Sequence, residues 1–169
     1  MKATRLAFLI LTVLTVGVGI ALGLRGFGVA SPAPAVGYTL LDGRTSNIAQ
    51  LRGKVVLVNF WATSCTTCVR EMPNIVATHE KFKARGYETL AVAMSYDTPA
   101  YVINFAQTRA LPFNVAFDKS GEIAKSFGDV TLTPTTVLIN KRGEIVKRYV
   151  GEPDFVALHE LVEKLLAQS

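Results

Sequence analysis

Cysteine, histidine and tryptophan are scarce in this sequence: 169 residues hold two Cys, two His and one Trp. With so few soft ligands a closed four-ligand zinc site has little to draw on. His79 lies about three helical turns beyond Cys68 on the expected helix, too far to share a metal with it, and both His79 and His159 read as ordinary helix-surface residues. No metal and no cofactor is called for. Runs of basic residues interleaved with aromatics are also missing. The net charge of +5 is spread along the chain, which argues against a nucleic-acid partner. There is no internal repeat and no low-complexity tract. Residues 6–24, LAFLILTVLTVGVGIALGL, carry no charge at all.

That uncharged run is long enough to span a bilayer as a helix. Lys2 and Arg5 precede it and Arg25 closes it. Its length favours an uncleaved anchor over a signal peptide, whose apolar core is shorter, about 7–15 residues. The small residues of GVASPAPAVG keep cleavage after Ala30 open. Either way Lys2 and Arg5 stay inside and the remainder is exported. No cysteine stands near the end of the run, which excludes a lipid-modified one. The expected organisation is a membrane anchor or signal segment at 1–30, a Pro/Ala-rich linker at 31–37, and one folded domain at 38–169.

Within that domain strand and helix patterns alternate. YTLLDGRTSNIAQL places a DG turn between two short extended pieces. KVVLVNFW (54–61) is apolar without alternation, as in a strand covered on both faces. A helix is expected over 66–84 with a kink at Pro73. A second buried strand follows at 87–95, a helix at 98–109, a short strand at 113–118 and a short helix ending at Gly128. TTVLIN and EIVKRYV flank KRG as an antiparallel hairpin. A last helix over 154–167 carries Phe155, Leu158, Leu161, Val162 and Leu165 on one face. This order implies an α/β fold with a mixed central sheet and helices on both faces.

Both cysteines fall in WATSCTTC (61–68), at the end of the first buried strand. A bridge between Cys65 and Cys68 closes too small a loop to stabilise the fold much, so a staple is a poor explanation. Positions i and i+3 share a helix face within bonding reach. The first cysteine would sit at the helix N-terminus, where the dipole and free N–H groups favour a thiolate. The thiolate is the attacking species in disulfide exchange. Cys65 is therefore the expected nucleophile and Cys68 the resolving thiol.

VVLVNFWATSCTTCVREMP resembles the active-site segment of the thioredoxin superfamily, nearest to the membrane-anchored or exported thiol–disulfide reductases of the TlpA/ResA type. LTPTTVLIN (132–140) and VGEPD (150–154) stand where that family has its matching pieces. The resemblance implies a thioredoxin-like fold with an extra helical insert within Asp97 to Asn114. It also implies a cis bond before Pro134 facing the cysteines, with Thr133 and Pro134 offering backbone to a substrate strand. Asn59 replaces the buried Asp of thioredoxins proper, Ser64 replaces their Trp, and Thr66–Thr67 separates the cysteines. In the resembling reductases a Glu after the CxxC acts in place of the Asp, and Glu71 matches it. Trp61 has two readings, lining the substrate surface or capping the core. The implied activity is reduction of extracytoplasmic protein disulfides on the periplasmic side of a bacterial inner membrane, cytochrome c apoproteins among the candidates. A transmembrane thiol-relay protein is the implied electron donor. Two alternatives are weaker. The peroxiredoxin pattern P-x-x-x-T-x-x-C fits neither cysteine, since Val58 and Ala62, or Trp61 and Cys65, occupy the required places. Copper carriers of this fold use CxxxC, one residue longer.

Overall fold

The structure is a computed structural model that describes residues 31–168. Eight strands and four α-helices follow in order: β1 (Ser31–Pro32), β2 (Gly37–Thr39), β3 (Thr45–Asn47), β4 (Val55–Trp61), α1 (Thr66–Phe82), β5 (Tyr87–Ala93), α2 (Pro99–Thr108), β6 (Asn114–Phe117), α3 (Glu122–Ser126), β7 (Thr135–Ile139), β8 (Glu144–Val150) and α4 (Phe155–Leu166). The main sheet runs β1-β8-β7-β4-β5-β6. β4, β5 and β6 are parallel, while β7, β8 and β1 add antiparallel pairings.

All seven residues of β4 are buried, which is why its sequence shows no alternation. Met72, Ile75 and Phe82 of α1, Val102 of α2, and Leu158, Val162 and Leu165 of α4 pack on one face of the sheet. Tyr38, Leu40 and Ile48 from the N-terminal hairpin region, with Ile123, Ala124 and Phe127 around α3, cover the other. The Asp42–Gly43 turn joins β2 to β3, and Gly43 holds a positive φ of 87° there, a conformation that excludes most side chains. The helical insert expected between Asp97 and Asn114 is α2. α1 runs unbroken through Pro73; the kink expected there does not divide the helix.

Residues 31–37, read as a linker, are built into the fold. Ser31 pairs with Ile145 and Pro32 with Glu144, the Ala33 N–H donates to Gly143 O at 2.8 Å, and Val36 is buried. A two-residue edge strand held by backbone bonds leaves no side-chain pattern, and proline is tolerated on an edge. The anchor or signal segment expected at 1–30, with its span at 6–24, lies outside the described residues. Among the described residues no helix is long and apolar enough to cross a membrane.

His79 is the other departure. It is 5% exposed, with Nδ1 3.2 Å from Thr89 Oγ1 and its ring 5.4 Å from that of Phe113. It continues the inward face of α1 after Ile75 and Thr78, so it is not a surface residue. His159 is half-buried, its Nε2 2.9 Å from Thr78 Oγ1.

Candidate active site

The chain leaves β4 at Trp61, turns through Ala62–Ser64 and enters α1 with Cys65 as its N-cap. The Cys65 N–H donates to Ala62 O at 3.1 Å, and Cys65 Sγ accepts the Cys68 N–H at 3.2 Å. One orphan donor of the first helical turn is thereby aimed at sulfur. The two cysteines form a disulfide with Cα atoms 5.2 Å apart. Cys65 is half-buried, whereas Cys68 is 0% exposed. In this arrangement an incoming sulfur has access to Cys65 alone.

The loop ahead of Cys65 is held from the connection that follows β5. The Trp61 carbonyl accepts the Met94 N–H at 3.0 Å. Asp97, only 8% exposed, accepts the Thr63 N–H on Oδ2 at 2.6 Å and the Thr63 hydroxyl on Oδ1 at 2.7 Å. The Thr98 N–H also donates to Oδ1, at 2.8 Å.

Antiparallel pairing of β7 with β4 sets Thr135 opposite Phe60, which carries Pro134 to the end of β4 beside the cysteine loop. The Thr133–Pro134 bond is cis. The Pro134 carbonyl accepts the Gly151 N–H at 2.8 Å. Among the described residues the Thr133 main chain exchanges no hydrogen bond with a neighbour, and its hydroxyl lies 3.0 Å from the Tyr96 hydroxyl. Tyr96, Leu132 and Val150 are exposed at 58%, 64% and 63%.

Beneath the disulfide, Glu71 is 0% exposed. The Asn59 amide donates to Glu71 Oε1 and to Thr136 Oγ1, each at 3.0 Å. Among the described residues Glu71 Oε2 and Asn59 Oδ1 have no partner. Burial pushes the Glu71 carboxyl from 4.5 up to about 7, against the downward pull of the Asn59 amide. A proton on Oε2 removes the cost of a buried anion with only one of its oxygens hydrogen-bonded, so near neutrality the group both gives and takes protons. Glu71 forms no ion pair among the described residues, whereas its neighbour Arg70 turns outward and pairs with Glu152 at 2.9 Å.

Trp61 is fully buried, its ring 5.1 Å from that of Phe105 in α2. Of its two readings the core cap is the one the geometry supports. As a wall for substrate it has no exposed surface to offer, because α2 covers it. Sequence reasoning missed Asp97, Tyr96 and Thr136. Asp97-Thr98-Pro99 signals a helix start, but nothing in it indicates a bond to Thr63, 34 positions earlier. Among the described residues no group of three or more His, Cys, Asp and Glu is placed to hold a metal ion.

Comparison with known proteins fits this geometry. The Redoxin family model matches residues 28–163. The thiol-disulfide oxidoreductase ResA of Bacillus cereus is 35% identical over 173 residues, covering 98% of this chain and 99% of that protein. ResA of Bacillus subtilis is 30% identical over 138 residues, covering 82% and 76%. Among solved structures, a Neisseria meningitidis protein described as a thioredoxin superposes with a TM-score of 0.76 at 41% identity, covering 82% of this chain and 93% of that one. A thiol:disulfide interchange protein of the thioredoxin family from Chlorobium tepidum gives 0.75 at 26% identity, covering 83% and 99%.

Proposed function

The chain belongs to the Redoxin family as a thioredoxin-fold thiol–disulfide oxidoreductase of the ResA type, and from that premise we propose that it reduces disulfides of exported proteins while anchored outside the cytoplasm. The observation that carries this reading is the pairing of a half-buried Cys65 at the N-terminus of α1 with a buried Cys68 above a buried Glu71.

In the reduced enzyme the Cys65 thiolate attacks one sulfur of a substrate disulfide. A mixed disulfide forms and the other substrate sulfur leaves as a thiolate, which takes a proton. Cys68, deprotonated, then attacks Cys65 Sγ and expels the second substrate thiolate. Two electrons pass to the substrate and the Cys65–Cys68 disulfide remains, the state present in this structure. Glu71 accepts the Cys68 proton in the second step, a task suited to a group titrating near neutrality. The Thr133 N–H and C=O pair with the substrate strand at the edge beside Pro134. Reduction rather than oxidation is supported by a carboxyl group that disfavours a lasting thiolate at Cys68, which withholds from the reduced form the stabilisation that makes a strong oxidant.

Residues 6–24 supply the anchor in this reading, supported by their uncharged length and the flanking Lys2 and Arg5. The substrates are disulfide-containing extracytoplasmic proteins, and a transmembrane thiol-relay protein returns the electrons. The test is turnover of insulin disulfides with a dithiol donor, together with the reduction potential of the pair. Cys65→Ser should abolish turnover, and Cys68→Ser should accumulate the mixed disulfide at Cys65. A potential near −120 mV, the strong-oxidant end, rather than towards about −270 mV, would overturn the direction.

A further inference from the structure

Two side chains in the short connection between β5 and α2 reach the two halves of the exchange site. Asp97 spends both carboxyl oxygens on Thr63, two residues before Cys65. Tyr96, its immediate neighbour, places its hydroxyl 3.0 Å from that of Thr133, the residue before Pro134. One segment thus spans from the loop that presents the nucleophile to the loop beside it.

We propose that Asp97 and Tyr96 are positioning residues for disulfide exchange: Asp97 fixes the loop that aims Cys65, and Tyr96 fixes the backbone at Thr133 against which the substrate strand lies. This rests on the preceding reading of Cys65 and Thr133. The Ala62–Ser64 loop has one internal backbone bond ahead of the helix, Cys65 N–H to Ala62 O. Thr63 is otherwise held by Asp97. Sulfur exchange needs the attacking Sγ in line with the bond it breaks, and small misplacements of a reacting group cost about 100-fold in rate. Tyr96 argues the same way from the opposite circumstance. Its ring is 58% exposed, so it adds little to the core, yet its hydroxyl is spent on Thr133.

The two positions carry different signatures. Tyr96→Phe should raise KM for insulin about fivefold, the worth of one net hydrogen bond, while kcat holds within twofold. Asp97→Asn replaces an acceptor with an amide that turns N–H groups toward Thr63 or Thr98. It should lower kcat about tenfold with insulin and equally with a small aromatic disulfide, and slow alkylation of Cys65 in the reduced protein. Thr63→Ser, which keeps both bonds to Asp97, should retain wild-type kinetics. Thr133→Val should match Tyr96→Phe, and the double variant should be no worse than either single, because the pair acts through one contact. Tyr101→Ala, exposed on α2, serves as the control with unchanged kinetics. Additive losses in the double variant, or rate losses that only track a fall in Tm, would overturn the proposal. So would wild-type kinetics in Tyr96→Phe and Asp97→Asn while Cys65→Ser is dead. Insulin turnover by Cys65→Ser would instead sink the functional reading beneath it.

Discussion

A carboxyl group buried one helical turn after a disulfide cysteine is easier to keep protonated than charged, and Glu71 is in that position. Among the described residues its one donor is the Asn59 amide, and burial carries its titration to about 7. Replacing it with glutamine keeps the size and the Asn59 contact but removes the proton. In Glu71→Gln the pH profile of thiol alkylation, followed by mass spectrometry on reduced protein, should lose its inflection near neutrality. Resolution of the mixed disulfide should slow about tenfold, at the lower edge of what a positioned acid–base group supplies. An identical profile and rate would leave Glu71 as packing only. Position 71 was legible as a candidate through the resemblance, which implies a Glu after the CxxC, and it lies one turn after Cys68. Its partial desolvation was expected from the inward face it shares with Cys68; its complete burial was not, because helix periodicity does not show how deeply α1 sinks against β4 and β7.

Among the elements, β1 and the residues after it test where the domain starts. A chain beginning at Tyr38 lacks the Ser31 and Pro32 pairing, the Ala33 bond and Val36. A chain beginning at Ser31 keeps them all. The shorter one should lose about 2 kcal/mol, the burial of one valine side chain, and melt about 8 °C lower. Equal melting temperatures would return 31–37 to the role of linker. β4, β5, α1 and α4 were legible because each announces itself through an unbroken apolar run or a helical stripe. β1 was not, since backbone pairing of two residues writes nothing into side-chain types. The Asp97–Thr63 and Asn59–Thr136 contacts were hidden for a related reason. They join residues 34 and 77 positions apart, and only the order of strands in the sheet brings them together. Trp61 needed α2 to be laid over it before its burial was decided.

At the scale of the whole molecule, two buried groups pull the pH dependence of stability in opposite directions. Glu71 holds its proton more firmly folded than unfolded. Its contribution is therefore present below about 4.5 and is lost as pH rises through about 7, on the order of 3 kcal/mol in full. Burial holds His79 below its ordinary 6.5, so its contribution is present above 6.5 and is lost as pH falls through the lower folded value. Chemical denaturation of the oxidised protein should show Glu71→Gln gaining on wild type at pH 8 and not at pH 4. It should show His79→Gln flattening the acid side instead. A Glu71→Gln gain independent of pH would contradict the buried proton. The pairing of Ser31 with Ile145 has a geometric consequence as well. β8 begins at Glu144 and ends at Val150, so Ser31 meets the sheet at the pole opposite Pro134 and the disulfide. The seven residues of β4 separate those poles by about 20 Å. Residue 31 and the sulfurs thus stand at opposite ends of the sheet, so a label or surface coupled at Ser31 leaves the exchange face clear, like a lamp held by its base.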